Sequence, residues 1–225
     1  MTRVLDRSIE ALKNELLILE ELVKQAMRKS VDALILRDLE TARAVYSNDA
    51  VINKRRFDIE TECLTTIATQ QPIASDLRML ASILEVAGEL ERMGDYAKGI
   101  ARVNLMLGDK PLPEVAQVLS QMANLVISML ELSVKALLEK DSDAARKIPD
   151  QDDEVDRLFN HVYYQLVQGM IADPDTIDQA NHLQWAAHNL ERVADRVTNI
   201  CERAIFAAEG EMIELDRSDD EWKAT

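Results

Sequence analysis

Apolar residues recur every three or four positions from the start of the chain. The first series begins at Leu5, passes through Leu12 and Leu19 and reaches Ala33. Spacings of three and four place side chains on one face of an α-helix. The sequence therefore predicts a long first helix whose apolar face is directed toward a bundle.

Capping and helix-breaking residues divide the rest of the chain into five more predicted helices. Asp38 is a plausible N-cap, Pro72 ends the second segment, and Gly108 opens the strongest break in the chain. The predicted ranges are 38–69, 75–107, 114–140, 141–172 and 176–208. Pro149 falls inside the fifth range, where it removes a backbone hydrogen bond and should kink or delay the helix.

The two halves of the chain carry the same sequence pattern. Residues 30–34 (SVDAL) match 133–137 (SVKAL), and residues 90–95 (LERMGD) match 190–195 (LERVAD). The offset between matched positions falls from 103 to 100, as a length difference in the connecting loops would produce. The repeats predict an all-α fold of two tandem antiparallel three-helix bundles. The predicted divisions are a first bundle at 1–108, a second at 113–208 and an acidic flexible tail at 209–225.

Composition and charge narrow the class of protein further. The chain contains 47% hydrophobic residues but only 6 glycines and 5 prolines, which favours helices over a β-sandwich. The net charge of −15 argues against nucleic acid as a partner, whereas cations or a basic protein surface remain suitable. Cys63 and Cys201 lie outside any CxxC motif and are expected to be buried thiols. With no leader and no run of about 18 uncharged apolar residues, the sequence predicts a cytoplasmic soluble protein.

Two pairs of carboxylates lie near the ends of the third and sixth predicted helices. Glu91 and Asp95 form one pair and Glu191 and Asp195 form the other, each with a spacing of four. This spacing places both carboxylates on one face, and the apolar periodicity directs that face inward or to the edge of the bundle. Because unpaired buried carboxylates are costly and like charges repel, a cationic partner is expected.

Two interpretations of this cation remain open. Arginines near both pairs could form an ordinary salt-bridge network, which requires no ligand. Alternatively, a divalent or trivalent metal ion such as iron, zinc, manganese or magnesium could bind between helices. The predicted metal ligands are Asp49, Asn53, Glu91 and Asp95 at a first site, and Asp152, Asp156, Glu191, Asp195 and Asn199 at a second.

Motifs of enzymes are absent from the sequence. The residues three positions before His161, His182 and His188 are not glutamates, so the Glu-x-x-His pattern of ferritin-like di-metal centres is missing. The sequence also contains no GxxxxGK[ST], GxGxxG or GxSxG motif. We therefore predict a protein that is not an enzyme, and no motif indicates that it binds phosphate.

The repeated LERxxD block and the segment QPIASDLR at 71–78 resemble the PhoU family of phosphate-uptake regulators. The resemblance extends from about residue 5 to 208 and implies two tandem three-helix bundles. It also implies a cytoplasmic negative regulator of phosphate uptake and of the phosphate-starvation response. As partners it implies the ATPase of a phosphate ABC transporter, a phosphate-sensing histidine kinase and a second copy of the chain. The resemblance further implies a Glu/Asp-x₃-Asp motif, here Glu91/Asp95 and Glu191/Asp195, at which some members of the family bind iron, zinc or other metal clusters and others bind little.

The first repeat departs from the family pattern at several positions. Gly99 stands where the family often has asparagine, whereas Asn199 keeps it in the second repeat. Glu89 replaces the usual aspartate, and Asn53 aligns with Asp156. The first site is therefore expected to bind metal more weakly. Two other functions stay open, namely a metal-binding or storage bundle and a plain helical scaffold without a role in phosphate signalling.

Overall fold

The computed structural model describes residues 3–108 and 111–215, and both ranges contain helices and connecting turns without a β-strand. The α-helices are α1 (Val4–Leu36), α2 (Leu39–Gln70), α3 (Ala74–Leu107), α4 (Val118–Glu139), α5 (Ser142–Ala145), α6 (Asp152–Ala172) and α7 (Ile177–Glu209). Short 3₁₀ turns at Glu114–Gln117, Ile148–Gln151 and Pro174–Thr176 precede α4, α6 and α7. The prediction of an all-α fold is confirmed.

The turns after the first helix of each repeat are built alike. Arg37 and Lys140 adopt left-handed conformations with φ of 59° and 56°, respectively. The amide of Asp38 then donates to the Ala33 carbonyl at 2.8 Å, and that of Asp141 to the equivalent Ala136 carbonyl at 2.9 Å. The aspartate side chains cap the helices that follow.

Pro149 divides the predicted fifth helix, as expected. The helix that begins at Ser142 ends after four residues, a 3₁₀ turn contains Pro149, and α6 begins at Asp152. A proline lacks the N–H that the helix interior needs, but it is tolerated in a first turn. The helix α6 of the second repeat is therefore shorter, at 21 residues, than its counterpart α2, which has 32.

The third helices of the two repeats, α3 and α7, lie side by side in the centre of the molecule. The first two helices, α1 and α2, cover α3, while α4 and α6 cover α7. Buried apolar residues of both repeats form one continuous core, which includes the matched pairs Leu90/Leu190 and Ile100/Ile200. The two predicted three-helix bundles are thus joined into a single body through α3 and α7.

The chain turns back on itself after α7. Gly210 closes the helix with φ of 87°, a conformation that favours glycine. The amide of Leu215 donates to Glu202 Oε1 at 2.9 Å, and the side chains of Ile213 and Leu215 pack against the core. Two residues of the predicted flexible tail therefore contact the core, whereas residues 216–225 of that tail lie outside the described residues.

Within the described residues, Glu114–Glu139 is long and apolar enough to cross a membrane by length and composition alone. The prediction that no run of about 18 uncharged apolar residues exists still holds, because Glu131 and Lys135 interrupt this segment. Within the fold, α4 packs against α1, α6 and α7, so several sides of the helix meet other helices. This surrounded position accounts for its apolar composition.

Candidate functional site

The antiparallel packing of α2 and α3 assembles the first set of predicted ligands, Asp49, Asn53, Glu91 and Asp95, called here the first cluster. Asp49 is only 5% exposed. Its Oδ2 atom accepts a hydrogen bond from Asn53 Nδ2 at 3.0 Å and one from Lys98 Nζ at 2.7 Å. The Lys98 ammonium also lies 4.0 Å from Asp95 Oδ1. The sequence analysis did not identify Lys98, because a spacing of three from Asp95 is common on helices and does not reveal the contact with Asp49.

The environment of the first cluster shifts the pKa of its carboxyl groups. Burial raises the pKa of Glu91, the negative charges of Asp95 and Asp49 raise it further, and Arg56 opposes them. Burial and Asp49 likewise raise the pKa of Asp95, against the influence of Lys98. The hydrogen bond to Asp49 raises the pKa of Lys98, so the ammonium is held in its charged form.

The second cluster, Asp152, Asp156, Glu191 and Asp195, lies on α6 and α7. Burial raises the pKa of Glu191, and the negative charges of Asp195 and Asp156 add to the effect. His188 opposes the shift, with Nδ1 at 3.0 Å from Glu191 Oε2. Asp152 is the first residue of α6. Thr198 stands where the first repeat has Lys98.

Asn199, a predicted ligand of the second site, donates a hydrogen bond to a residue of the first repeat. Its Nδ2 donates to Glu89 Oε2 at 3.3 Å, and Arg196 Nη1 lies 3.5 Å from the same oxygen. At the matching point of the α3–α7 contact, Gly99 faces Asn189, and a Cβ atom on Gly99 would lie 2.9 Å from Asn189 Nδ2. The glycine therefore makes room for the neighbouring asparagine, which explains one departure from the family pattern.

The arginines near the motifs contact other groups. Arg203 pairs with Glu85 across the α3–α7 contact at 3.0 Å, and Arg192 Nε donates to the Tyr96 hydroxyl at 3.1 Å. Together with Arg196, they join the two repeats. In the first cluster the cation that contacts Asp49 is a lysine, so the arginine interpretation does not describe that contact.

The oxygen atoms of the first cluster fit a hard cation chemically. Asp49 Oδ1 and Asn53 Oδ1 are buried without a hydrogen-bond partner, and such atoms suit divalent ions. Within residues 3–108 and 111–215, however, no three His, Cys, Asp or Glu side chains are arranged to hold a metal ion. The structure therefore shows no preformed metal centre in the described part, and the ligand assignment stays a prediction.

The fold and the clusters define a class of duplicated helical-bundle proteins with one acidic cluster in each repeat. The family model of the PhoU domain matches the chain twice, over residues 16–103 and 119–204. A relative from Aquifex aeolicus, named a phosphate-specific transport system accessory protein PhoU homolog, is 34% identical over 92% of this chain and 94% of its own. The similarly named relative from Clostridium acetobutylicum is 30% identical over 96% of this chain and 100% of its own.

Solved structures agree with the sequence comparisons. The crystal structure of the phosphate transport system regulatory protein PhoU from Streptococcus pneumoniae superposes with a TM-score of 0.86 at 31% identity, covering 93% of this chain and 99% of that one. PhoU from Pseudomonas aeruginosa gives a TM-score of 0.85 at 31% identity, covering 92% and 99%. The chain therefore belongs to the PhoU family, a family of accessory and regulatory proteins, and the predicted resemblance is confirmed.

Proposed function

We propose that this protein is a non-enzymatic regulator of phosphate transport. It restrains phosphate uptake and the phosphate-starvation response when phosphate is plentiful, and it connects a phosphate ABC transporter ATPase to a phosphate-sensing histidine kinase. The observation that carries the proposal is family membership through both repeats, with relatives named for phosphate transport that match over nearly their full lengths.

The architecture suits an adaptor. Because α3 and α7 occupy the centre, the two repeats present related outer faces, one built from α1 and α2 and the other from α4 and α6. A duplicated scaffold of this kind can offer two similar but separate surfaces to two partners. The continuous core holds these two surfaces in a fixed relation to each other.

The second cluster is proposed to hold a hard divalent or trivalent cation, such as iron, zinc, manganese or magnesium. Its Asp156, Glu191 and Asp195 carboxylates would supply oxygen ligands, and the ion would neutralise charges whose proximity otherwise raises the pKa of Glu191. Bound there, a cation would also link α6 to α7. A structural ion of this kind would tie the outer helix of the second repeat to the central pair.

A transcriptional reporter tests the regulatory role. Deletion of the gene should derepress a phosphate-starvation promoter in medium rich in phosphate, and the intact chain supplied in trans should restore repression. A reporter that stays repressed after deletion would contradict the adaptor function. Stoichiometric redox-active iron with turnover, in a strain whose reporter is unaffected, would instead favour a storage bundle.

Two further features belong to the same proposal. A cytoplasmic location is proposed because a regulator that links a transporter ATPase to a kinase must reach their cytoplasmic parts. A homodimer is also proposed, because α2 exposes Tyr46, Phe57 and Leu64, whose spacings of 11 and 7 follow one side of a helix. Sedimentation velocity on the parent and on Phe57→Glu tests the dimer, since the charged variant should sediment as a monomer.

A further inference from the structure

The two clusters differ in the residues that surround two matched aspartates, of which Asp49 is buried and Asp152 is only partly buried. Asp49 and Asp152 occupy matched positions of the two repeats. Lys98 faces Asp49 from α3, whereas the matched position on α7 is Thr198. Tyr46, one turn before Asp49 on α2, is matched by Pro149 in the second repeat. Both residues that could form or enclose a bound ammonium are therefore present in the first repeat only.

The contacts around Lys98 form a complete site for an ammonium group. Its Nζ donates to Asp49 Oδ2 at 2.7 Å and lies 4.0 Å from Asp95 Oδ1. The same nitrogen lies 5.5 Å from the centre of the Tyr46 ring, in a cation–π arrangement. Carboxylates combined with an aromatic face recognise ammonium ions, whereas metal ions are held by oxygen and nitrogen lone pairs.

We infer that Lys98 is the built-in cation of the first cluster, which holds this cluster together without a metal, and that removal of its ammonium group creates a binding site for a divalent cation. The contrast with the second repeat rests on the cation proposed for the second cluster. The role of Lys98 in the first cluster does not depend on that proposal. The first cluster needs a cation because the Asp49 carboxylate is only 5% exposed, and a buried carboxylate requires a counter-charge. The lysine satisfies this need within the chain itself.

The described residues form no ready metal centre while Lys98 is present, but oxygen atoms that could bind an added cation surround its ammonium group. Asp49 would offer both oxygen atoms once the lysine is removed, and Asn53 Oδ1 is buried and without a hydrogen-bond partner. Asp95 lies next to the same ammonium, and Glu91 interacts electrostatically with both aspartates. Oxygen ligands of this kind match the preference of Mn²⁺, which serves here as a probe.

Equilibrium dialysis of chelator-treated protein against Mn²⁺ tests the inference, with Lys98→Met compared to the parent. Methionine keeps much of the side-chain length and removes the charge. The variant should bind one more Mn²⁺ per chain than the parent. Without Mn²⁺ its melting temperature should fall by several degrees, and saturating Mn²⁺ should restore most of the loss. Lys54→Met, which removes an exposed lysine of α2 that pairs with Asp58, should match the parent in both measurements.

The two proposals fail in different ways. The number of Mn²⁺ ions bound by the parent tests the second cluster, whereas the difference between Lys98→Met and the parent tests Lys98. Equal Mn²⁺ numbers and equal melting temperatures for the two proteins would overturn the inference. If Lys98→Met does not fold, the double variant Lys98→Met/Asp49→Asn should fold, because both charges are gone, and should bind no additional Mn²⁺. A double variant that also fails to fold, or that gains Mn²⁺, would count against the inference.

Discussion

The two repeats share a fold but differ in how they balance their buried charge. The first cluster places the Lys98 ammonium against Asp49, whereas the second has Thr198 at the matched position and His188 beside Glu191. The Glu-x₃-Asp motif is present in both. The motif alone therefore does not fix the surroundings of its carboxylates, because the residues about one turn away differ between the repeats.

A similar contrast occurs at the turns after α1 and α4. The backbone of the two turns is the same, but the first is held by Asn104 of α3, which is fully buried. Its Nδ2 donates to the Ala33 carbonyl at 2.8 Å, and its Oδ1 accepts from Arg37 Nη1 at 2.6 Å. The second repeat carries Ala204 at this position. The first repeat thus fixes its turn by a side-chain hydrogen-bond network from α3, whereas the matched position of α7 carries a buried apolar residue that cannot form one.

The largest effect is expected for Asn104→Ala. The change leaves the Ala33 carbonyl and the Arg37 guanidinium without this partner inside the protein. The Ala33 carbonyl keeps the Asp38 amide as a donor, so the free energy of unfolding should fall by ~1–3 kcal/mol, the usual cost when a buried polar group loses its partner. Urea denaturation measures the change. Asn124→Ala, at an exposed position of α4, should differ from the parent by less than ~0.5 kcal/mol. A loss of similar size in both variants would contradict the assigned network.

A smaller effect is expected for Gly94→Ala, which copies Ala194 of the second repeat. A Cβ atom at position 94 would lie 3.1 Å from both Cδ1 and Cγ2 of Ile52, while the second repeat has the smaller Val155 opposite. The crowding costs ~1–3 kcal/mol. Alanine's better helix propensity returns ~1 kcal/mol. We therefore expect a net loss of about 1 kcal/mol in urea denaturation.

The double variant Gly94→Ala/Ile52→Val makes this comparison specific. Valine lacks the Cδ1 atom of isoleucine, so one of the two close contacts disappears. The pair of changes should therefore be less destabilising than the sum of the single changes, by ~1 kcal/mol in a double-mutant cycle. Strictly additive effects would show that the side chains at positions 52 and 94 do not crowd each other.

The smallest effect concerns pH. Burial and neighbouring carboxylates raise the pKa of Glu191, so the folded chain keeps this proton to a higher pH than the unfolded chain does. Its contribution to folding is present below the unfolded pKa and is lost as pH rises through the folded pKa. Glutamine carries no such proton. In chelator-treated protein, the stability of Glu191→Gln relative to the parent should therefore increase between about pH 4 and pH 7.

Glu154→Gln is the control for this pH dependence. Arg157 lowers the pKa of Glu154 through a side-chain hydrogen bond, which is the opposite direction. Stability from this ionised carboxylate is present above the unfolded pKa and is lost as pH falls through the folded pKa. The relative stability of Glu154→Gln should accordingly decrease between the same two pH values. Identical pH trends in both variants would contradict the opposite pKa shifts assigned to Glu191 and Glu154.

The sequence predicted the helices and the duplication because both depend on local periodicity and on matched blocks. The interruption of the fifth predicted helix at Pro149 was also predictable, because a proline alters the hydrogen bonding of its own backbone. The partner of Asn199 was not predictable, because Glu89 reaches it only through the crossing of α3 and α7. Lys98 was overlooked for the same reason: the chain contains 26 lysines and arginines, and only the contact with Asp49 distinguishes this one. The packing of Leu215 against α7 depends likewise on tertiary contact.

Metal content of protein purified without chelator or affinity metal tests the central contrast most directly. Mass spectrometry would compare the parent with Glu91→Gln/Asp95→Asn and with Glu191→Gln/Asp195→Asn. If the first repeat uses Lys98 and the second an external cation, the parent and the first double variant should each carry close to one metal ion per chain. The second double variant should lose it. A parent without metal, or metal that is lost with the first pair and kept with the second, would contradict the account.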